Sequence, residues 1–143
     1  CVINDNIDIA LLSGADGVHV GQDDMACAKA RVMLGEGRII GVPAHTIEEA
    51  VAAEAAGADY LGSGAAFPTN TKDVTGHYVT PEEYAAITSA VKIPVVAIGG
   101  ITRDNISQLN GRGLAGVAVV SALFAEADVE QAAREMRARC EKL

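Results

Sequence analysis

The chain has 143 residues, of which 50% are apolar and only 3% aromatic, and its formal net charge at pH 7 is −8. This length accommodates one hydrophobic core and leaves little room for a second. The acidic charge and the scarcity of aromatic rings argue against a nucleic-acid partner, because nucleic-acid-binding surfaces are basic and often stack bases on aromatic side chains. We therefore predict a single domain over residues 1–143 with a core of Val, Ile, Leu and Ala, which suits α/β packing.

Neither a membrane partner nor a secretory route is predicted. No apolar run approaches the ~20 residues of a membrane span, and no signal-peptide pattern is present. Cys1, Cys27 and Cys140 are odd in number and lack CxxC spacing, which favours free thiols in a reducing cytoplasm. The chain opens on Cys1 without an initiator Met, so we expect that its start is cut.

Short apolar runs alternate with helix-length amphipathic segments along the chain. Capping-box patterns begin two of the helices, at Thr46 and Thr80, and glycine follows several helix ends. Strands are predicted over residues 1–3, 17–20, 38–42, 60–62, 94–98 and 116–120. Helices are predicted over residues 6–13, 25–34, 47–56, 81–91, 103–111 and 129–142.

This alternation indicates repeated βα units with right-handed crossovers and a parallel sheet. An open doubly wound sheet uses the same units, but no GxGxxG motif follows the first strand. The last two strands end at Gly99-Gly100 and Ser121-Ala122, where a phosphate has room to approach the backbone, as after strands seven and eight of a (β/α)8 barrel. We predict the C-terminal portion of an incomplete TIM (β/α)8 barrel. It has about six βα units, and the first one or two strands and part of the third are missing.

Polar, acidic and glycine residues gather directly after the predicted strands. Side chains at the carboxyl ends of parallel strands face one common mouth, so these residues are candidates for a single site. Individually they also suit turns and helix caps, as Asp5, Asp23 and Asp24 do. The set comprises Asn4, Asp5, His19, residues 21–24, residues 43–45, residues 63–72, Gly99, Gly100 and Ser121.

Two acidic residues in this set suit a divalent cation. Asp5 and Asp24 follow adjacent predicted strands, so their carboxylates are able to converge. Proteins usually hold Mg²⁺ with one or two carboxylates together with substrate phosphates and water. The pair alone is a weak signal, because both residues also fit as helix caps.

A polar loop in the set suits a phosphate. Thr69, Asn70, Thr71 and Lys72 offer two hydroxyls, an amide and an ammonium group within four residues. Such donors suit a phosphate monoester or a departing diphosphate, although a merely exposed polar loop has the same composition. Residues 73–79 are predicted to form a lid.

Two histidines lie at predicted strand ends. His19 and His45 have the ordinary pKa range of a general base that acts near neutral pH. For each of them the sequence favours a hydrogen-bonded structural histidine over a general base.

Six motifs form a pattern that is specific as a set. Together they resemble the thiamine-phosphate synthase (thiamine-phosphate pyrophosphorylase) family, and the resemblance covers essentially the whole chain. The motifs are Asn4-Asp5, Gly21-Gln-Asp-Asp24, Gly41-Val-x-Ala-His-Thr46, Phe67-Pro-Thr-x-Thr-Lys72, Val96-Ala-Ile-Gly-Gly-Ile101 and Gly116-Val-Ala-Val-Val-Ser121.

The resemblance implies a (β/α)8 barrel that joins hydroxymethylpyrimidine diphosphate to a thiazole phosphate. By motif match, Asp5 and Asp24 would hold the Mg²⁺ cofactor, and Asn4 and Lys72 would contact the pyrimidine diphosphate. The thiazole phosphate would be bound by Thr69, Asn70, Thr71, Gly100, Val120 and Ser121. The implied partners are these two small molecules, and the oligomeric state is left open, a homo-oligomer included.

The implied reaction is a dissociative displacement that needs no nucleophilic side chain. Lys72, as the catalytic residue, would stabilise the departing diphosphate together with Mg²⁺, and the thiazole nitrogen would capture the pyrimidine-methyl cation. Catalysis would depend on positioning and on electrostatics, the latter worth roughly a few kcal/mol per preorganised donor.

Two features depart from the family pattern. The early Gln-x-Arg-x-Lys segment that grips the pyrimidine diphosphate has no counterpart in residues 1–143. Pro43 stands where the family usually has a Ser or Thr that contacts the pyrimidine substrate, and proline offers neither a hydroxyl nor an N–H. These departures leave open whether the 143-residue chain is catalytically active by itself.

Two alternatives to a synthase follow from the same residues. A thiazole tautomerase of the same superfamily uses a histidine near the position of His45. It handles no diphosphate, so Asn4-Asp5, Asp24 and Lys72 favour the synthase. A non-catalytic phosphate-binding domain would retain Gly100 and Ser121.

Overall fold

The computed structural model describes residues 1–21, 27–69 and 78–143. Within these ranges none of the helices combines the length and the apolarity that crossing a lipid bilayer requires. In chain order the elements are β1 Val2–Asn4, α1 Ile7–Ser13, β2 Gly17–His19, α2 Cys27–Leu34, β3 Ile39–Pro43, α3 Ile47–Ala55, β4 Tyr60–Gly64, α4 Pro81–Ala90, β5 Val95–Ile98, a 3₁₀ helix Ile106–Leu109, β6 Gly116–Ala118, α5 Ser121–Phe124 and α6 Val129–Cys140.

The chain forms two compact units, and the first consists of residues 1–62 and 90–94. Its strands lie in the order β1–β2–β3–β4, and each neighbouring pair is parallel. A helix follows each of the first three strands. These observations confirm the predicted βα units, whereas the single domain over residues 1–143 stays a prediction.

The strands of the first unit differ strongly between their two faces. Val18, Ile40 and Leu61 are fully buried on one face, where apolar contact with the helices stabilises the fold. The opposite face carries His19, Gly41 and Tyr60, which occupy matching positions on β2, β3 and β4. Because side chains alternate along a strand, this second face is the one that can present polar groups to a ligand.

A half-buried guanidinium connects the loops of the first unit. Arg31 on α2 donates to the carbonyl oxygens of Gly35, Arg38 and Gly57, and it also pairs with the Asp59 carboxylate. The same carboxylate accepts from the backbone N–H of Ile40 at 2.7 Å. One side chain therefore provides a charged donor to polar groups at several loop ends.

Replacement of Arg31 by Met is expected to lower the free energy of unfolding by about 2–4 kcal/mol, because several acceptors lose a charged donor. Urea unfolding measures the change. Arg134→Met is the matched control: the Arg134 side chain is 77% exposed and pairs with Glu130 one turn away. That exposed pair is worth no more than about 0.5 kcal/mol, and equal losses in the two variants would contradict the assigned role of Arg31.

The second unit consists of residues 63–89 and 95–143. It contains the end of β4, followed by β5 and β6, which are parallel with Val96 opposite Gly116. Helix α4 begins with the predicted capping box: the Thr80 hydroxyl accepts from the Glu83 N–H, and the Glu83 carboxylate accepts from the Thr80 N–H at 2.7 Å. The buried Tyr84 hydroxyl donates to the Ser63 carbonyl at 2.8 Å and so ties α4 to β4.

The helix predicted over residues 103–111 is wrong, because only Ile106–Leu109 is helical and it is a 3₁₀ turn. The Asn105 amide oxygen accepts from the Thr102 N–H, and its amide nitrogen donates to the Gly100 carbonyl. A short polar side chain that bonds to the nearby backbone in this way competes with an α-helix. The strand predicted over residues 116–120 ends earlier, at Ala118, and α5 was not predicted.

Candidate active site

At the carboxyl end of β1, two predicted site residues are held in one arrangement. The Asn4 amide donates to the Asp5 carboxylate at 2.7 Å, and the Asp5 N–H donates to the His19 carbonyl at 2.8 Å. Asp5 adopts a left-handed backbone conformation, with φ of 64°. Such a conformation costs a non-glycine residue on the order of 1–3 kcal/mol and persists where the surroundings enforce it. The exposed Asp5 carboxylate is therefore oriented by its neighbours.

The Asp5 carboxylate fits a Mg²⁺ ligand, because this cation prefers oxygen ligands and retains water. Within the described ranges, no group of three or more His, Cys, Asp or Glu side chains is placed to hold a metal ion. A cation bound at Asp5 would therefore need further ligands, such as substrate phosphates or Asp24. Asp24 lies outside the described residues, so the predicted Asp5–Asp24 pair and its Mg²⁺ remain predictions.

His19, at the end of β2, is hydrogen-bonded to Tyr60, a residue that was not among the predicted site residues. Its Nδ1 lies 3.0 Å from the Tyr60 hydroxyl, and the two ring centroids are 5.5 Å apart. Burial lowers the pKa of the His19 imidazole, an effect that the Asp5 carboxylate opposes. Burial also raises the pKa of the Tyr60 phenol. Burial thus favours the neutral form of each side chain.

Pro43 and His45, which belong to the predicted set, lie at the end of β3 and shortly after it. Pro43 lies opposite Gly62 of β4, so this position of the two strands brings no side-chain donor. His45 is exposed, and its Nδ1 lies 3.3 Å from the Glu49 carboxylate, while its backbone N–H donates to the same oxygen at 2.7 Å. His45 therefore belongs to the start of α3 and has an acidic partner.

In the second unit, Gly100 lies directly against the segment that leads into the predicted phosphate loop. Its φ is 64°, and a Cβ atom added there would lie 2.4 Å from the carbonyl oxygens of both Phe67 and Pro68. The Phe67 N–H donates to the Gly99 carbonyl at 3.0 Å. The structure therefore brings Gly100 together with the chain that immediately precedes Thr69, as a shared phosphate site requires.

Val120 and Ser121 lie after β6, at the start of the four-residue helix α5. Val120 is 58% exposed and Ser121 is also exposed. Both are thus accessible to a ligand, in agreement with the position that the sequence predicts for them. Their contact with a phosphate stays a prediction.

Several predicted site residues lie outside the described ranges. They are Asp24 of the metal pair, and Asn70, Thr71 and Lys72 of the phosphate loop, together with residues 73–77 of the predicted lid. Asn4 and Asp5 belong to the first compact unit, while Thr69, Gly100, Val120 and Ser121 belong to the second. Their convergence on one cavity stays a prediction.

The chain is similar in sequence to proteins of one family. The thiamine monophosphate synthase family matches residues 1–123. A thiamine-phosphate synthase of Chlorobium luteolum is 47% identical over 137 residues, which are 96% of this chain and 65% of that protein. One of Methanobrevibacter smithii is 54% identical over 123 residues, which are 86% of this chain and 58% of that protein.

A solved structure of similar fold is the thiamine phosphate pyrophosphorylase of Pyrococcus furiosus, with a TM-score of 0.86 and 41% identity. The match covers 98% of this chain and 66% of the other chain. This likeness confirms the prediction of an incomplete (β/α)8 barrel. The chain spans 58–65% of the length of these two curated relatives. Because the family match extends over 123 of its 143 residues, the chain belongs to the thiamine monophosphate synthase family.

Proposed function

We propose that the protein is a thiamine-phosphate synthase, a transferase of thiamine biosynthesis. It would condense 4-amino-2-methyl-5-hydroxymethylpyrimidine diphosphate with thiazole phosphate to give thiamine phosphate and diphosphate. The observation that carries this proposal is the 47% identity over 137 residues to a protein of that name.

Two local arrangements support the proposal independently of overall similarity. Asn4 orients the exposed Asp5 carboxylate through a 2.7 Å hydrogen bond, as a ligand of Mg²⁺ beside a diphosphate requires. Gly100, without a side chain, permits the backbone of Phe67 and Pro68 to approach closely. Close packing of backbone without Cβ atoms suits a phosphate monoester such as the thiazole phosphate.

In this reaction the protein would act by positioning and electrostatics. Asn4 would bind the pyrimidine diphosphate and hold Asp5 in its ligand orientation. Thr69, Gly100 and Ser121 would hold the thiazole phosphate so that its ring nitrogen faces the reacting carbon, while Lys72 would donate to the departing diphosphate. Mg²⁺, when bound by Asp5 and Asp24, would supply positive charge to that leaving group.

We assign the activity to the cytoplasm. Cys1, Cys27 and Cys140 are free thiols in the structure, and free thiols suit a reducing compartment. Burial raises the pKa of the Cys27 thiol, which lowers its reactivity as a thiolate. A homo-oligomer is compatible with this assignment.

The decisive experiment mixes the protein with both phosphorylated substrates and Mg²⁺ and follows thiamine phosphate by chromatography. We expect product only when both substrates are present, with one diphosphate released for each product molecule. Isomerisation of the thiazole phosphate without the pyrimidine substrate would favour the tautomerase instead. Binding of both substrates without any conversion would favour the non-catalytic alternative.

A further inference from the structure

His19 and Tyr60 meet across β3 at a position where that strand has no side chain. His19 lies opposite Gly41 on the neighbouring strand, and Gly41 lies opposite Tyr60 on the next. Neighbouring strands are about 4.8 Å apart, so β2 and β4 are separated by roughly twice that distance. Two side chains on these strands can therefore form a hydrogen bond only over an intervening glycine.

Two glycines leave the space that the rings of His19 and Tyr60 occupy. A Cβ atom at Gly41 would lie 2.2 Å from Cζ of Tyr60, and one at Gly62 would lie 3.0 Å from Cε1 of His19. Neither contact would be tolerated without a shift of a ring. Gly41 and Gly62 thus provide the space in which the pair lies.

The tautomer of His19 decides which atom donates in this contact. A phenol oxygen is able to donate or to accept, and a neutral imidazole has one nitrogen that donates and one that accepts. If the Tyr60 hydroxyl donates to Nδ1 over 3.0 Å, the His19 proton lies on Nε2. The other tautomer would direct Nδ1–H to the phenol oxygen and leave Nε2 without a proton.

The Nε2 atom of His19 lies beside a position of β3 and β4 that has no polar side chain. The Nε2 atom would be 3.6 Å from a Cβ atom at Gly62, which lies opposite Pro43. Proline and glycine bring no polar side chain to this position. On the other side of His19, Asn4 of β1 occupies the paired position. The His19 carbonyl accepts a hydrogen bond from the Asp5 N–H.

We propose that Tyr60 is a positioning residue that holds His19 as the Nε2–H tautomer, so that His19 donates a hydrogen bond to the pyrimidine diphosphate. This inference rests on the proposed function and adds to it a pair of residues that contribute to substrate recognition. Tyr60 acts through His19, and the substrate would lie over the carboxyl ends of β1 and β2. Pyrimidine ring nitrogens and phosphate oxygens are both suitable acceptors for Nε2–H.

The tautomer can be observed directly in ¹⁵N-labelled protein by NMR correlation of the ring nitrogens with the ring protons. We expect His19 of the wild type to carry its proton on Nε2, and Tyr60→Phe to shift its Nδ1 signal because the hydrogen bond to that nitrogen is lost. His45, whose Nδ1 lies near Glu49, should be unchanged and serves as internal control. A wild-type His19 protonated on Nδ1, or one whose signals ignore Tyr60→Phe, would overturn the inference.

Two replacements of His19 separate donation to the substrate from simple packing. Glutamine places its amide nitrogen near the position of Nε2, whereas asparagine reaches only to that of Nδ1. We expect His19→Gln to keep KM for the pyrimidine diphosphate within about threefold, and His19→Asn to raise it about tenfold with little change in kcat. Tyr60→Phe should raise KM about two- to fivefold, because only part of the His19 population remains competent.

Equal effects of His19→Gln and His19→Asn on KM would also overturn the inference. Urea unfolding of both variants shows whether a difference in KM arises from a difference in stability. If the wild type neither binds the pyrimidine diphosphate nor forms product, the proposed function itself fails. If the wild type turns over normally and His19→Asn does as well, only the role of the His19–Tyr60 pair fails.

Discussion

Replacement of Asp5 by Asn is expected to lower kcat/KM for thiamine phosphate formation by about 10²–10³, the size of effect seen when one preorganised electrostatic group is removed. The substitution keeps the size of the side chain but removes the negative charge that attracts a cation. It also replaces the acceptor of the Asn4 amide, which lies at 2.7 Å, with a neutral group. The Mg²⁺ concentration that gives half-maximal rate should therefore rise, and both quantities follow from initial rates over a magnesium titration.

The matched control is Asp8→Asn. Asp8 is exposed in the first turn of α1, three residues beyond Asp5, and its replacement changes the net charge by the same amount. This variant should keep the wild-type kcat/KM and magnesium dependence, because its carboxylate is not among the proposed ligands. Asp5→Asn with an unchanged rate and unchanged magnesium dependence would refute the proposed role of Asp5.

The second large effect is expected for Gly100→Ala, which should lower the free energy of unfolding by about 2–4 kcal/mol. The left-handed conformation, with φ of 64°, costs an alanine roughly 1–2 kcal/mol. The added Cβ atom would also lie 2.4 Å from two backbone carbonyl oxygens, so the Phe67–Pro68 segment must move. Binding of thiazole phosphate should weaken as well, since Thr69 follows that segment. Urea unfolding and equilibrium binding measure the two effects.

Gly111→Ala isolates the conformational part of this cost. Gly111 has φ of 71°, and a Cβ atom there would meet nothing within 4 Å. Its replacement should therefore cost only the roughly 1–2 kcal/mol of the left-handed conformation and leave thiazole phosphate binding unchanged. The difference between the two losses in free energy of unfolding measures the cost of the steric contact at Gly100. A difference near zero would show that the added Cβ atom meets no tight contact there.

The regular elements were predictable because their signals are local. Helices α3 and α4 begin at the predicted Thr46 and Thr80 caps, and α1 ends at Gly14 in a left-handed cap. The 3₁₀ turn at Ile106–Leu109 was not predicted, because the Asn105 side chain bonds to the backbone of Gly100 and Thr102. Apolar spacing alone carries no information on such a side-chain hydrogen bond.

Some residues of the candidate site could be predicted from the sequence, and others could not. Asn4, Asp5 and Gly100 were singled out because they directly follow strands, and the structure describes each of them at a strand end. Tyr60 was missed because it starts its strand and its partner His19 lies 41 positions away in the chain. A signal was present in Gly41, a glycine inside a strand, which often marks a close approach of other groups.

By itself the sequence determined the βα repeat, the family and the residues at the strand ends, because periodicity, caps and motifs depend on residues close together in the chain. Only the tertiary structure decided that Asn4 orients Asp5, that His19 meets Tyr60 over Gly41, and that Gly100 lies against Phe67 and Pro68. These contacts depend on the register between strands and on the lateral distance across them. Such quantities arise when the strands pair, and the order of residues in any one strand does not specify them.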